Sequence, residues 1–177
     1  MPVPATMGGP HRLEIELDPK LAGGLISMPT AVELKKALRE AGLEIYRTRG
    51  EVVHLAERVR ENLLMDAQIF IHAGDPPTTK VSFVVRAQRS DFPNDSEPHL
   101  FVRARELARA AAERGYQEVE AVVRKVYDPG DGQRTLDTWC EVQFEKAVPD
   151  LEGAIVEARF ALTIEKAAPP MVDDTTH

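Results

Sequence analysis

Apolar and polar residues alternate along the C-terminal part of the chain, and this pattern constrains the fold more than any other feature. Between Thr135 and Lys146, one series of alternate positions carries Leu136, Thr138, Cys140, Val142 and Phe144. Side chains of a strand point alternately to its two faces, so the pattern predicts a strand with one buried face. A similar alternation predicts a last strand over 154–166. Such strands are typical of an antiparallel sheet that is covered on one side.

Other periodicities predict three helices and five further strands. Thr30, with Glu33 three residues later, has the pattern of a capping box before a helix over 31–41. A period of 3.6 residues predicts a helix over 51–64, and an Ala/Arg-rich segment predicts another over 99–115. The predicted strands cover residues 12–18, 43–47, 67–73, 79–87 and 116–127, with a turn at 74–78.

This order of elements predicts an α+β fold. We expect a two-layer sandwich, with a mainly antiparallel sheet and about three helices on one face. The central β-α-β-β-α-β run has the order of a ferredoxin-like core, which the last strands would extend as a C-terminal β-meander. Within the 177 residues we expect a flexible lead over 1–11, one domain over 12–166 and a flexible tail over 167–177.

The composition argues against membrane proteins and disulfide-stabilised proteins. No window approaches 18 uncharged apolar residues, so no membrane-spanning helix is predicted, and the N-terminus lacks the pattern of a signal peptide. Cys140 is the only cysteine, so no internal disulfide can form, which is typical of a reducing cytoplasm. We therefore expect a cytoplasmic protein that does not bind a membrane.

The charge distribution argues against a nucleic-acid partner. The net charge is -7, and the acid excess lies almost entirely within residues 115–177. Aromatic residues make up only 6% of the chain, whereas proteins that bind nucleic acid usually combine a basic face with aromatic side chains. Phe70 and Phe83 lie on predicted strands and would be needed for RNA binding on the sheet, but both are expected to point inward.

The sequence contains no catalytic or cofactor motif. A nucleophile elbow, a P-loop and a dinucleotide fingerprint are all missing, and we predict no cofactor. Cys140 shares the apolar face of its strand, which predicts a buried thiol rather than a nucleophile. His54 with Glu57, His72 with Asp75, and the loop from Asp91 to His99 are candidate metal ligands, but solvent-exposed side chains and an ordinary surface loop explain them without a metal. We predict neither catalytic residues nor a metal, and favour a protein that is not an enzyme.

One cluster of basic side chains is a candidate site for an anionic ligand: Arg47, Thr48 and Arg49. These residues are expected between a strand and the start of a helix, where free N–H groups and the helix dipole attract anions. Arg86 would join them if the sheet brings the strand ends together. In this alternative the protein is a small-molecule enzyme or sensor, with His72 or His54 as its acid or base. Pairing with nearby glutamates explains the same arginines without a ligand.

Trp139, the lone tryptophan, is the most informative functional feature. Its place in the alternation is opposite to that of Cys140, so it lies on the outer face if helices cover the Cys140 side. Val122 and Val126 of the preceding strand are expected beside it. Apolar side chains on an open sheet face are typical of protein contacts. We expect a protein-binding or assembly module that docks a protein partner or forms a homodimer here. A sheet that curls and buries Trp139 is the alternative.

Overall fold

The computed structural model describes residues 29–73 and 79–170. The elements in chain order are α1 (Ala31–Glu40), β1 (Ile45–Arg49), β2 (Val52–Arg60), β3 (Leu63–His72), β4 (Thr79–Gln88), α2 (Glu97–Leu107), α3 (Arg109–Glu113), β5 (Gln117–Asp128), β6 (Asp131–Val148) and α4 (Leu151–Thr163). The predicted lead over 1–11, the strand over 12–18 and the turn at 74–78 lie outside the described residues.

The strands form one antiparallel sheet with the order β1-β2-β3-β4-β6-β5. With four helices among the described residues, the fold is α+β, as the sequence predicted. The pairing of β4 with β6 is continuous from Thr79 opposite Val148 to Gln88 opposite Trp139. It joins the strands before α2 to the hairpin formed by β5 and β6, and so decides which residues share a face.

The hydrophobic core lies between the sheet and the helices. Val81, Phe83 and Val85 of β4 are fully buried in the same cluster as residues from all four described helices. The helix residues of this cluster include Leu34, Leu38, Leu100, Ala104, Ala154, Ala158 and Ala161. Helix α2 packs on β4 and β6, and α4 packs on β3 and β4. We call the opposite side of the sheet, which carries Trp139 and Glu141, the outer face.

The start of α1 follows the predicted capping box. Thr30 Oγ1 accepts a hydrogen bond from the Glu33 amide (3.3 Å), and Glu33 Oε2 accepts one from the Thr30 amide (2.8 Å). These bonds satisfy two N–H groups that a helix leaves without partners at its first turn. Gly42, at φ +81°, follows the helix in the left-handed conformation that glycine adopts at low cost.

Two predicted elements are wrong. Residues 51–64, predicted as a helix, form β2 and the beginning of β3. A register shift between His54 and Ala56 disturbs the alternation on β2, so its apolar residues resemble a helical pattern. Residues 154–166, predicted as a strand, lie mostly in α4, which Asp150 caps by accepting from the Gly153 amide. The ferredoxin-like core and the C-terminal meander depended on these two elements, and neither is confirmed.

The chain after α4 returns to the sheet. Ala167 forms a parallel bridge with Arg86 of β4, and Ala168 is buried in the core. Both alanines belong to the segment predicted as a flexible tail, whereas the structure includes them in the folded part. No helix within 29–73 and 79–170 combines the length and the apolar character needed to cross a membrane.

Candidate functional site

The residues of the predicted interface lie together on the outer face of the β5–β6 hairpin. Trp139 of β6 is directly opposite Arg124 of β5. Val122 faces Glu141, and Val126 faces Asp137, so each valine is diagonal to the indole. Trp139 and both valines are half-buried. The alternation of β6 also places Cys140 on the other side, where it is fully buried.

Neighbouring side chains of the same chain hold Trp139 in place. Its Nε1 donates to Asp137 Oδ2 (3.0 Å), and the Arg86 guanidinium lies 4.3 Å from the centre of the ring. Burial alone would raise the pKa of Asp137, but hydrogen bonds from Ser90, Thr138 and Trp139 outweigh it and lower this pKa. The cation–π contact covers part of the indole. The contacts of Trp139 within its own chain therefore stabilise the outer face, and they leave only part of the indole exposed to a partner.

Strand β5 contains no buried residue and lies at one edge of the sheet. It pairs with β6 on one side and has no described strand on the other. On the face opposite Trp139, Val123 is 40% exposed. At the tip of the hairpin, Tyr127 and Leu136 are also exposed. The β5–β6 hairpin therefore presents apolar side chains on both of its faces, together with a strand edge that no other described strand pairs with.

The arginines of the candidate anion site do not converge. Arg47, Thr48 and Arg49 lie on β1, and β2 and β3 separate this strand from Arg86 on β4. A turn at Gly50 leads into β2, so no helix begins there to supply the expected dipole and free N–H groups. Arg47 instead contacts Asp66 (Nη2 to Oδ2, 3.6 Å), and Arg86 stacks on Trp139.

His54, expected on an exposed helix, is a buried member of the outer face. It is 9% exposed, its Nδ1 lies 3.4 Å from Asp66 Oδ2, and its ring meets Phe70 edge-on at 4.8 Å. Phe70 therefore points outward, contrary to the prediction, whereas Phe83 is buried as predicted. No local sequence pattern predicts this cluster, because it depends on the pairing of β2 with β3.

Two histidines of this region contact polar side chains. Asp66 contacts His54, whereas the hydroxyl of Ser82 lies 3.4 Å from Nε2 of His72. Among the described residues, no group of three or more metal-ligating side chains comes together.

A small cleft opens where β3 and β4 separate. Gln68 has a positive φ of 57°, and the pairing of β3 with β4 begins only at the next residue, Ile69. Gln68, Arg86 and Lys166 are among the residues that line this cleft of about 180 Å³. The Lys166 amine donates to the carbonyls of Ala161 and Ile164, so it satisfies groups left free at the end of α4. The Lys166 side chain therefore stabilises the C-terminal end of α4.

We expect Lys166 to make the free energy of unfolding depend on pH in alkaline solution. Burial lowers the pKa of Lys166 from 10.5 to about 8. Between these values the unfolded chain holds the proton and the folded chain releases it, so the free energy of unfolding should rise with pH. Each unit of pKa shift corresponds to about 1.4 kcal/mol.

Chemical denaturation at several pH values measures this effect. As the pH increases from about 8 to 10.5, the wild-type chain should gain stability relative to Lys166→Met. The exposed Lys36→Met variant is the control, since Lys36 lies on the surface of α1. A stability difference between wild type and Lys166→Met that stays constant over this range would contradict the assignment.

Comparison with known proteins does not identify a family, because no family model, no curated protein and no solved structure matches the chain. The function has to be argued from the described residues themselves.

Proposed function

We propose that this protein is a non-enzymatic assembly module that associates with itself through the β5–β6 hairpin. The observation that carries the proposal is the exposure of β5, an edge strand with apolar side chains on both faces. Unpaired N–H and C=O groups along such an edge are a template for pairing with another strand. Because no other strand within 29–73 and 79–170 pairs with this edge, we infer that a partner covers it.

We also propose a two-layer sandwich. In this arrangement the helices pack on one side of the sheet and leave the outer face free. The packing of α2 and α4 against β4 supports this arrangement. Trp139, Val122 and Val126 then line the outer side of the contact, while Val123 lies on the other side. Homodimers usually use one self-complementary patch on both subunits.

The candidate anion site gives less support to ligand binding. Arg47 and Arg49 lie on a different strand from Arg86, and β2 and β3 separate them. A site for an anionic ligand needs such side chains to converge on one point. An assembly role needs only the exposed hairpin.

The Val123→Lys variant tests the proposal. We expect the wild-type chain to have twice its 19.6 kDa mass by light scattering, and Val123→Lys to be monomeric or to associate at least about tenfold more weakly. A charged side chain on an edge strand opposes pairing with a second edge. Val32→Lys is the matched control, because Val32 is 77% exposed on α1. A wild-type chain that stays monomeric at every concentration would refute the proposed function.

A further inference from the structure

We infer that two copies of the chain pair their β5 strands antiparallel about a two-fold axis at Val122, so that Glu120 of each copy faces Arg124 of the other. This inference rests on the proposed function and specifies the partner and the register. It follows from the regular part of β5, from the alternation of its backbone groups and from the positions of its charges.

The regular part of β5 limits where an axis can lie. Register irregularities occur between Glu118 and Glu120 and again after Val126, so regular pairing covers 120–126. Along an edge strand, every second residue directs its N–H and C=O toward the free side. Two identical antiparallel edges match these groups only when the axis passes through a residue and not between two residues. Seven axis positions, one at each residue of 120–126, are therefore available.

Like charges exclude several of these positions. An axis at Glu120, Arg124 or Lys125 places that residue opposite its own copy, and like charges directly opposite each other destabilise a strand pair. An axis at Val123 places Glu120 opposite Val126 and Arg124 opposite Val122, so neither charge has a partner of opposite sign.

At two further axis positions, Arg124 faces an acidic residue only if the pairing extends past a register irregularity of β5. An axis at Ala121 brings Arg124 to Glu118, and an axis at Val126 brings it to Asp128. Both acids already pair within their own chain. Glu118 accepts two hydrogen bonds of 2.8 Å from Arg105, and Asp128 lies 3.7 Å from Arg134.

An axis at Val122 satisfies every requirement. Glu120 then faces Arg124 twice, Ala121 faces Val123 twice, and Val122 meets its own copy within the regular segment. The result is a small apolar centre with an ion pair on each side. Opposite charges that face each other across strands stabilise the pairing.

Both charged side chains are available for this contact. The Glu120 side chain is exposed, and no salt bridge of Glu120 occurs among the described residues. The side chain of Arg124 is 62% exposed, and its Nε donates to Glu141 of the same chain. A guanidinium has five N–H donors, so its terminal nitrogens remain free to bind a second carboxylate.

Charge exchange between positions 120 and 124 tests the register. In Glu120→Arg dimers, arginine faces arginine at both contacts, and in Arg124→Glu dimers, glutamate faces glutamate. We expect each variant alone to associate at least about tenfold more weakly than wild type, which corresponds to about 1.4 kcal/mol. In an equal mixture of the two variants, both contacts regain opposite charges. We therefore expect the mixture to recover a dimer with an affinity within a few-fold of wild type.

Two controls belong to this experiment. Arg124→Glu also places a glutamate beside Glu141 in its own chain, so thermal unfolding is measured to show that the variant folds. Glu120→Arg has no such conflict and keeps the test valid if Arg124→Glu is unstable: its dimer alone should be weakened.

Disulfide trapping gives an independent measurement. Opposed residues of paired strands have Cα atoms about 4.5–5.5 Å apart, within the range that a disulfide spans. Val122→Cys should therefore form a disulfide-linked dimer on oxidation. Val126→Cys is the matched control, because this register places the two copies of position 126 far apart. The wild-type chain, whose single Cys140 is buried, gives the background.

The outcomes separate this inference from the proposed function. If Val123→Lys disrupts the dimer while Glu120→Arg does not, and Val122→Cys is not trapped, the register is wrong and the proposed function stands. If the wild-type chain is monomeric, both are overturned. Recovery of the dimer in the mixture, with trapping at position 122 only, supports both.

Discussion

Replacement of Phe83 by alanine is expected to lower the free energy of unfolding by about 3–5 kcal/mol, the usual cost of removing a buried phenylalanine side chain. Phe83 is fully buried at the centre of β4. Its ring lies 5.3 Å from that of Tyr116 and 5.8 Å from that of Phe144, measured between ring centres. The substitution therefore leaves a cavity among side chains that the backbone pairing of β4 and β6 holds in place.

Chemical denaturation measures this loss, and Phe70→Ala is the control. Phe70 lies one residue pair away on the neighbouring strand but points to the outer face, where it is half-buried beside His54. We expect Phe70→Ala to lower the free energy of unfolding clearly less than Phe83→Ala, because the half-buried Phe70 side chain buries less apolar surface in the fold. Equal losses for the two variants would contradict the assignment of Phe83 to the covered side of the sheet.

The elements that the sequence predicts correctly are those whose local signals agree. The strand over 135–146 has a strict alternation, and α1 has both an apolar stripe and a capping box. For Cys140, one position in the alternation was enough to predict burial. Such signals involve residues close in sequence, so they can be evaluated without knowledge of the tertiary structure.

In the two elements that are predicted wrongly, the same apolar residues fit both the period of a helix and the period of a strand. Between 154 and 164 every even-numbered residue is apolar, which resembles a strand, but Ala154, Ala158 and Ala161 also lie on one face of a helix. Alanine favours the helix, and the Asp150 cap fixes its start. In β2, a register shift after His54 interrupts the alternation by which a strand is identified.

Part of the candidate site follows from the sequence and part of it does not. The alternation of β6 places Trp139 opposite Cys140, and the hairpin brings Val122 and Val126 to the same face. The contact of Arg86 with Trp139 joins residues more than fifty positions apart, and it exists because β4 pairs with β6. The edge position of β5 likewise depends on the order of all strands in the sheet, which no local pattern specifies.

Replacement of Glu157 by glutamine is expected to lower the free energy of unfolding by about 3 kcal/mol at neutral pH. Glu157 of α4 is only 6% exposed, and it accepts hydrogen bonds from Lys146 Nζ (2.8 Å) and Arg114 Nε (2.9 Å). Glutamine keeps the size of the side chain but removes the charge that both cations face. The estimate lies at the lower end for buried ion pairs because Lys146 and Arg114 are partly hydrated.

The cost of Glu157→Gln should depend on pH in a defined direction. Burial alone would raise the pKa of Glu157, but hydrogen bonds from Lys146 and Arg114 outweigh it, so this pKa lies below the ordinary value of 4.5. A carboxylate with a lowered pKa stabilises the fold above 4.5, and this contribution is lost as the pH falls through the folded-state value. The stability difference between wild type and variant should therefore be constant from neutral pH to about 5 and should narrow in more acidic solution. Glu113→Gln, on the exposed surface of α3, is the control. A difference that does not change with pH would show that the two cations do not hold Glu157 in its charged form.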